Sequence, residues 1–203
     1  MLIKDFQLGQ LDTNCYIVTD ENTLECAVID PGDEANTVID YLEDNNLKCR
    51  FIFLTHGHYD HTMAVNDLAA ETGAKVCIHE NDAVASVDNA PFTFCPPDGS
   101  ILYGEGAVMH VGSLEFKVLE TPGHSPGSVT LQCGDVLFTG DTLFQGSCGR
   151  TDLPGGDMGT LMQSLKRLAM LPGEYEVYPG HMDSTTLERE RRFNYYLRYA
   201  MGV

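Results

Sequence analysis

Three histidines and an aspartate fall within six residues in His56-Gly57-His58-Tyr59-Asp60-His61. Imidazole nitrogens and carboxylate oxygens are the donors that divalent transition metals accept. His56 and His58, two positions apart just beyond an apolar extended run, can point to the same side and grip one ion. Asp60 and His61 lie on the turn into a helix and can face a neighbouring ion. Three more ligand-capable side chains close strand-like runs at tight turns. They are His124 in Thr121-Pro122-Gly123-His124-Ser125-Pro126-Gly127, Asp141 in Phe138-Thr139-Gly140-Asp141-Thr142, and His181 in Tyr178-Pro179-Gly180-His181. Glycine or proline beside each lets the backbone turn closely around a ligand. Any one of the three alone is a common turn residue; with the cluster they complete two coordination shells.

A mixed nitrogen and carboxylate set suits Zn²⁺, Fe or Mn²⁺ without choosing among them. Two such ions about 3.5–4 Å apart share and acidify a water, and they polarise a carbonyl under attack. The Gly-x-Ser-x-Gly spelling occurs as Gly123-His124-Ser125-Pro126-Gly127, but its histidine belongs to the candidate ligand set, so a serine nucleophile is not expected. His79 and His110 fit neither shell and are read as structural or surface residues. Asp30 reads as a buried turn carboxylate that supports a ligand rather than being one.

The elements that must carry these residues follow from periodicity. Leu2–Leu8, Cys15–Val18 and Leu24–Ile29 read as short strands bounded by turn residues. Ala35–Asn45 carries Val38, Ile39 and Leu42 at helical spacing. Phe51-Ile52-Phe53-Leu54 is a continuous apolar run, the mark of a central strand, and it leads directly into the histidine cluster. Ala64–Glu71 reads as a helix stopped by Gly73, and Lys75–Ile78 as a strand. From Asp88 to Gly106 the periodicity fails among Pro91, Pro96, Pro97 and Gly99, which marks a loop or lid. Strands return at Leu114–Leu119, Ser128–Gln132 and Val136–Phe138. They are followed by a helix at Gly159–Met170, a strand at Tyr175–Tyr178 and a last helix at Thr185–Tyr199. Tyr195, Tyr196 and Tyr199 on that helix are read as packing residues. No repeat or linker divides the chain, so residues 1–203 are read as one domain of two mixed β/α halves.

Composition narrows the partners. Twelve Lys and Arg against 30 Asp and Glu give a formal charge of −18. Such a chain repels phosphate backbones and anionic membranes, which excludes nucleic acid and lipid surfaces as partners and leaves small molecules. No apolar run reaches membrane-spanning length, and Met1–Phe6 has no secretory pattern. The seven cysteines are odd in number and include no Cys-x-x-Cys, so a reducing cytoplasm is expected and most thiols read as small core hydrophobes.

The whole set resembles the metallo-β-lactamase-fold hydrolases, most nearly their single-domain glyoxalase II-like (hydroxyacylglutathione hydrolase-like) branch. The likeness runs from Asn14-Cys15-Tyr16 and Asp30-Pro31-Gly32 through Gly149-Arg150-Thr151-Asp152 to the Glu188–Leu197 tail. It implies an α+β fold, a four-layer αββα sandwich of two mixed β-sheets with helices on the outer faces. By that pattern His56, His58 and His124 hold a first ion, Asp60, His61 and His181 hold a second, and Asp141 bridges them. Zinc is the default, with iron or manganese compatible. The implied reaction is hydrolysis of a thioester such as S-D-lactoylglutathione by a metal-bridging hydroxide, which Asp60 would help to orient. A thiolate with a thiol pKa near about 8.5 leaves without strong acid help. Arg150 is the candidate contact for a substrate carboxylate, set against an ion pair with Asp152. Full-length members carry a further helical region that grips glutathione, whereas this chain runs only from His181 to Val203, so the thiol half of the substrate is less defined than the metal set.

Four rival readings stand beside it. A mononuclear iron persulfide dioxygenase on the same fold shares the Cys148–Asp152 stretch, but it would leave the second site empty. True β-lactamases do not use a bridging carboxylate at the position of Asp141, and flavodiiron proteins place an acid where this chain has His58. A non-catalytic metal-binding scaffold would be expected to have shed ligands, and none of the seven is missing.

Overall fold

The computed structural model describes residues 1–84 and 92–203. Six strands form the first sheet in spatial order β1 to β6: β1 (Leu2–Leu8), β2 (Thr13–Asp20), β3 (Glu25–Ile29), β4 (Lys48–Phe53), β5 (Lys75–His79) and β6 (Ile101–Tyr103). The first three pair antiparallel, and β3 to β6 run parallel. Helix α1 (Ala35–Asp44) crosses between β3 and β4; α2 (Tyr59–Thr62) and α3 (Val65–Thr72) cross between β4 and β5. Parallel neighbours need such crossovers.

The second sheet has the order β14-β13-β10-β9-β8-β7. Its strands are β7 (Val108–Val111), β8 (Leu114–Glu120), β9 (Val129–Cys133), β10 (Val136–Gly140), β13 (Glu176–Pro179) and β14 (Thr185–Thr186). A small hairpin, β11 (Leu143–Phe144) with β12 (Ser147–Cys148), stands beside it. Helices α4 (Met158–Ala169), α5 (Leu187–Phe193) and α6 (Tyr195–Met201) complete the chain.

Alternation along the strands sets the layers, because successive side chains leave a strand on opposite faces. Tyr16, Val18, Phe53 and Cys77 face Phe116, Val118, Leu131 and Phe138 between the sheets. Their strand neighbours Cys15, Ile17, Ile52 and Ile78 turn outward onto Val38, Leu42, Val65 and Leu68 of α1 and α3. On the other side Leu137 and Val177 meet Leu161, Leu165 and Leu168 of α4 together with Leu187 and Leu197. The result is the expected α+β arrangement of helix, sheet, sheet and helix. Among the described residues no helix is long and apolar enough to cross a membrane.

Three expectations are corrected. The Asp88–Gly106 stretch is not all loop: Ile101–Tyr103 forms β6, paired with β5, and Ala83 bridges Phe94. Residues 88–91 lie outside the described residues. The Thr185–Tyr199 helix begins instead as β14 and then splits into α5 and α6 at Asn194, whose ψ of 117° leaves the helical region. Asn194 caps α6 by accepting from the amides of Tyr196 and Leu197. Of the three tyrosines there, only Tyr196 packs against the core; Tyr195 and Tyr199 are exposed.

Candidate metal centre

Every one of the seven candidate ligands follows a strand end. His56 comes just after β4, His124 in the loop after β8, Asp141 directly after β10 and His181 two residues after β13, while Asp60 and His61 sit on α2. Backbone bonds tie these loops together. The amide of Val129 donates to Thr55, that of Gly180 to Gly140 and that of Asn14 to Gly180, at 2.8–2.9 Å. Asn14 Nδ2 also donates to the carbonyls of Pro179 and Met182, and Tyr16 Oη to that of Pro179. This accounts for Asn14-Cys15-Tyr16: the segment holds the His181 turn in place.

The structure brings all seven side chains together. His58 Nδ1 lies 3.1 Å from His56 Nε2 and 2.9 Å from His124 Nε2. Nitrogens around a tetrahedral ion with bonds of about 2.0–2.1 Å stand roughly 3.3 Å apart, so the three rings converge at nearly metal-ligand spacing. Beside them His181 Nε2 lies 3.3 Å from Asp60 Oδ2, and His61 Nε2 lies 3.7 Å from the same oxygen. Asp141 spans the two groups. Its Oδ2 is 3.5 Å from His124 Nε2 and 3.6 Å from His181 Nε2, and its Oδ1 is 3.4 Å from His61 Nε2. His56, His58 and His124 form one group able to hold an ion, and Asp60, His61 and His181 form another.

The donor atoms fit a bound metal. His61 Nε2 and Asp141 Oδ1 are buried without a hydrogen-bond partner, and a polar atom left so is costly unless something binds it. Four rings have their other nitrogen fixed by an oxygen. His124 Nδ1 faces the Arg150 carbonyl at 2.7 Å and His181 Nδ1 the Leu11 carbonyl at 3.1 Å. His61 Nδ1 faces Asp30 Oδ2 at 3.1 Å, and His56 Nδ1 faces Thr55 Oγ1, whose own proton goes to Asp30. Each of these oxygens can only accept, so the proton sits on Nδ1 and Nε2 keeps its lone pair for a metal. Asp30 therefore supports a ligand, as read from the sequence.

Charge is divided within the cluster. Burial and the surrounding rings push His56 down, and burial with His124 pushes His58 down to about 4. Burial opposes the charged form of His61 as well, but Asp141 and Asp30 outweigh it and hold its pKa well above the ordinary value. His181 is raised in the same way: burial opposes the charge, and the hydrogen bond to Asp60 prevails. Asp60 and Asp141 are both lowered against burial, Asp60 chiefly by His181 and Asp141 chiefly by His61. One end carries His56 and His58, whose charged forms burial disfavours; the other is a set of paired charges.

Sequence reading missed Asp82. It is fully buried, and Oδ2 accepts from the Gly57 amide at 2.9 Å and from Ser125 Oγ at 2.6 Å, while Oδ1 accepts from the Gly127 amide at 2.6 Å. One carboxylate thus fastens the His56–His58 loop to the His124 loop. Nothing in Glu80-Asn81-Asp82 signals this, because the partners lie 25 to 45 positions away. The other carried residues fall as follows. His79 is buried against Glu120 at 3.1 Å and His110 is exposed. Arg150 stands on the wall of a cavity of about 600 Å³ beside the cluster, held in a two-pronged pair with Asp152.

Comparison with known proteins identifies the family and the fold. The family model described as the metallo-beta-lactamase superfamily matches residues 8–181. The chain is 34% identical to hydroxyacylglutathione hydrolase GloC of Haemophilus influenzae, over 97% of this chain and 98% of that one. The solved BLEG-1 B3 metallo-beta-lactamase superposes with a TM-score of 0.86 at 34% identity, covering 97% of this chain and 99% of that one. TTHA1623, solved in a di-iron-bound form, gives 0.81 at 38% identity over 95% and 99%.

Proposed function

The chain belongs to the metallo-beta-lactamase superfamily, and on that premise we propose that it is a binuclear metallo-hydrolase that cleaves thioesters. The observation that carries the reading is the place of Asp141 Oδ2, between His124 Nε2 and His181 Nε2 at 3.5 and 3.6 Å. A single carboxylate oxygen facing both ligand groups could serve two ions at once. His56, His58 and His124 would hold the first ion and Asp60, His61 and His181 the second, with Asp141 between. Zinc is the default and iron an alternative, supported by the di-iron form of TTHA1623. When bound, such a pair supplies Lewis-acid polarisation of a carbonyl and a water acidified toward neutral pH.

The chain's own residues do the rest. Asp60 Oδ2, near both His61 and His181, is placed to orient the attacking water. Asp30, Thr55 and the Leu11 and Arg150 carbonyls keep the rings in their ligand tautomers. A thiolate leaving group asks for no strong acid, and the cavity offers none besides the cluster itself. The relative named hydroxyacylglutathione hydrolase makes S-D-lactoylglutathione the first trial substrate.

The test is release of free thiol from S-D-lactoylglutathione by protein carrying two metal ions, with His56→Ala alongside. Saturable turnover that falls at least about 10²-fold in the variant is expected. Protein that holds two ions and hydrolyses no thioester overturns the reading. The second reading is the mononuclear iron persulfide dioxygenase, so a persulfide with an oxygen electrode belongs beside the same assay: one bound ion and oxygen consumption would favour it.

A further inference from the structure

The cavity beside the cluster constrains the substrate in a way the ligands do not. Away from the metal donors the apolar side chains Leu11, Phe92, Phe144, Leu153 and Met182 share its walls with the uncharged Tyr59, Ser147 and Cys148 and with Arg150. Among the described residues lining it, Arg150 is the one Lys or Arg, and Asp152 holds that guanidinium through Nε–Oδ1 and Nη2–Oδ2 contacts, both 2.7 Å. The whole chain carries −18.

Two divalent ions would offset Asp60 and Asp141, but their charge acts at the reacting carbonyl. The thiol half of a thioester held at that centre would pass along a wall that is mostly uncharged. A carboxylate placed there would meet no unpaired Lys or Arg among the described lining residues and would have to compete with Asp152 for Arg150. The long-range field of an acidic chain would also slow the approach of an anion.

Resting on the thioester-hydrolase reading, we propose that this site selects acyl thioesters whose thiol half is uncharged over those whose thiol carries carboxylates, glutathione included. The chemistry is unchanged: the oxygen of water bonds to the acyl carbon, the carbon–sulfur bond breaks with its electron pair going to sulfur, and a carboxylate, a thiol and a proton result. At the exposed rim of the cavity Asp152 competes with an anionic substrate for the Arg150 guanidinium.

The test holds the acyl group fixed and changes only the thiol. Metal-loaded full-length protein is given S-D-lactoylglutathione and the S-D-lactoyl ester of N-acetylcysteamine, a neutral thiol. The neutral ester should show at least about tenfold higher kcat/KM, mostly through KM. Added salt should raise kcat/KM for the glutathione ester, as screening weakens the repulsion, and leave the neutral ester level. Asp152→Asn should free Arg150 and narrow the ratio by lowering KM for the glutathione ester. Equal or better turnover of the glutathione ester overturns the inference while leaving thioester hydrolysis standing. An unchanged ratio in Asp152→Asn overturns the part assigned to the pair. Turnover of neither ester overturns the thioester reading, and this inference with it.

Discussion

Asp82 Oδ2 accepts the hydroxyl of Ser125 at 2.6 Å, joining the residue directly after His124 to a carboxylate 43 positions earlier in the chain. The same oxygen takes the amide of Gly57, between His56 and His58. The three-histidine group is therefore held by a buried clamp that touches no ligand atom itself. Asp82→Asn keeps the shape but turns one acceptor into a donor, facing amide or hydroxyl protons it cannot accept. We expect metal affinity at the three-histidine group to fall about 10–100-fold, the usual cost of losing a residue that orients a ligand. The unpaired groups should cost roughly 1–3 kcal/mol of folding stability. Competition with a chelator at a temperature where the variant stays folded separates the two effects; unchanged affinity would refute the clamp.

The division of charge across the cluster sets an order of metal release. In the metal-free protein His61 and His181 keep protons to higher pH than free imidazole, because Asp141, Asp30 and Asp60 stabilise the charged rings against burial. His56 and His58 are shifted the other way, His58 to about 4. Protons compete with metal wherever the ligand must be neutral, so they compete harder at the Asp60–His61–His181 group. On acidification the second ion should leave first, over a range above the pH at which the three-histidine group empties. Metal content after dialysis at stepped pH should pass through a plateau near one ion per chain. Simultaneous loss of both ions, or first loss from the three-histidine group, would contradict the assignment.

Gly180 shows how closely the strand ends pack around Asp141. A Cβ at this position would overlap Asp141 Oδ1 and stand 2.7 Å from His61 Cε1. Gly180→Ala should therefore displace the bridging carboxylate and His61 while sparing His56, His58 and His124. The expected outcome is protein that binds one ion rather than two, with kcat/KM on a thioester lowered by about 10²-fold or more, since misplacement of this size is enough to spoil a reacting geometry. Full occupancy of both sites would show that the turn yields without disturbing the centre.

How much of this was legible in the sequence depends on whether the signal was local. His56, His58, Asp60 and His61 announce themselves because ligands from one loop are neighbours in the chain. Cys15 to Val18 reads as a strand because it is apolar throughout, and it is buried on both faces, its side chains going by turns to the two cores. Asp82 is invisible for the opposite reason: its partners come from two distant loops, and a lone aspartate carries no pattern. β6 escaped because Ile101–Tyr103 is three residues long and follows a stretch full of proline and glycine. The break at Asn194 escaped because Leu187, Glu190, Asn194 and Leu197 are all buried at spacings of three and four. That is the helical period, so the pattern runs straight across a junction that only the backbone reveals.

Asn194 gives the last prediction, because its side chain links that junction to the substrate cavity. Its Oδ1 caps α6, and its Nδ2 donates to the Ser147 carbonyl at 2.9 Å and the Phe144 carbonyl at 3.3 Å, on the hairpin that walls the cavity. Asn194→Ala removes the cap and strips buried carbonyls of a donor. Together these should cost about 2–4 kcal/mol, seen as a fall in Tm of roughly 4–16 °C for a domain of this size. Phe144 and Ser147 lose their tether at the same time, so KM should rise several-fold while kcat and the two-ion stoichiometry hold, because no candidate ligand touches Asn194. A fall in kcat with KM unchanged would mean that the hairpin positions the reacting centre rather than the substrate.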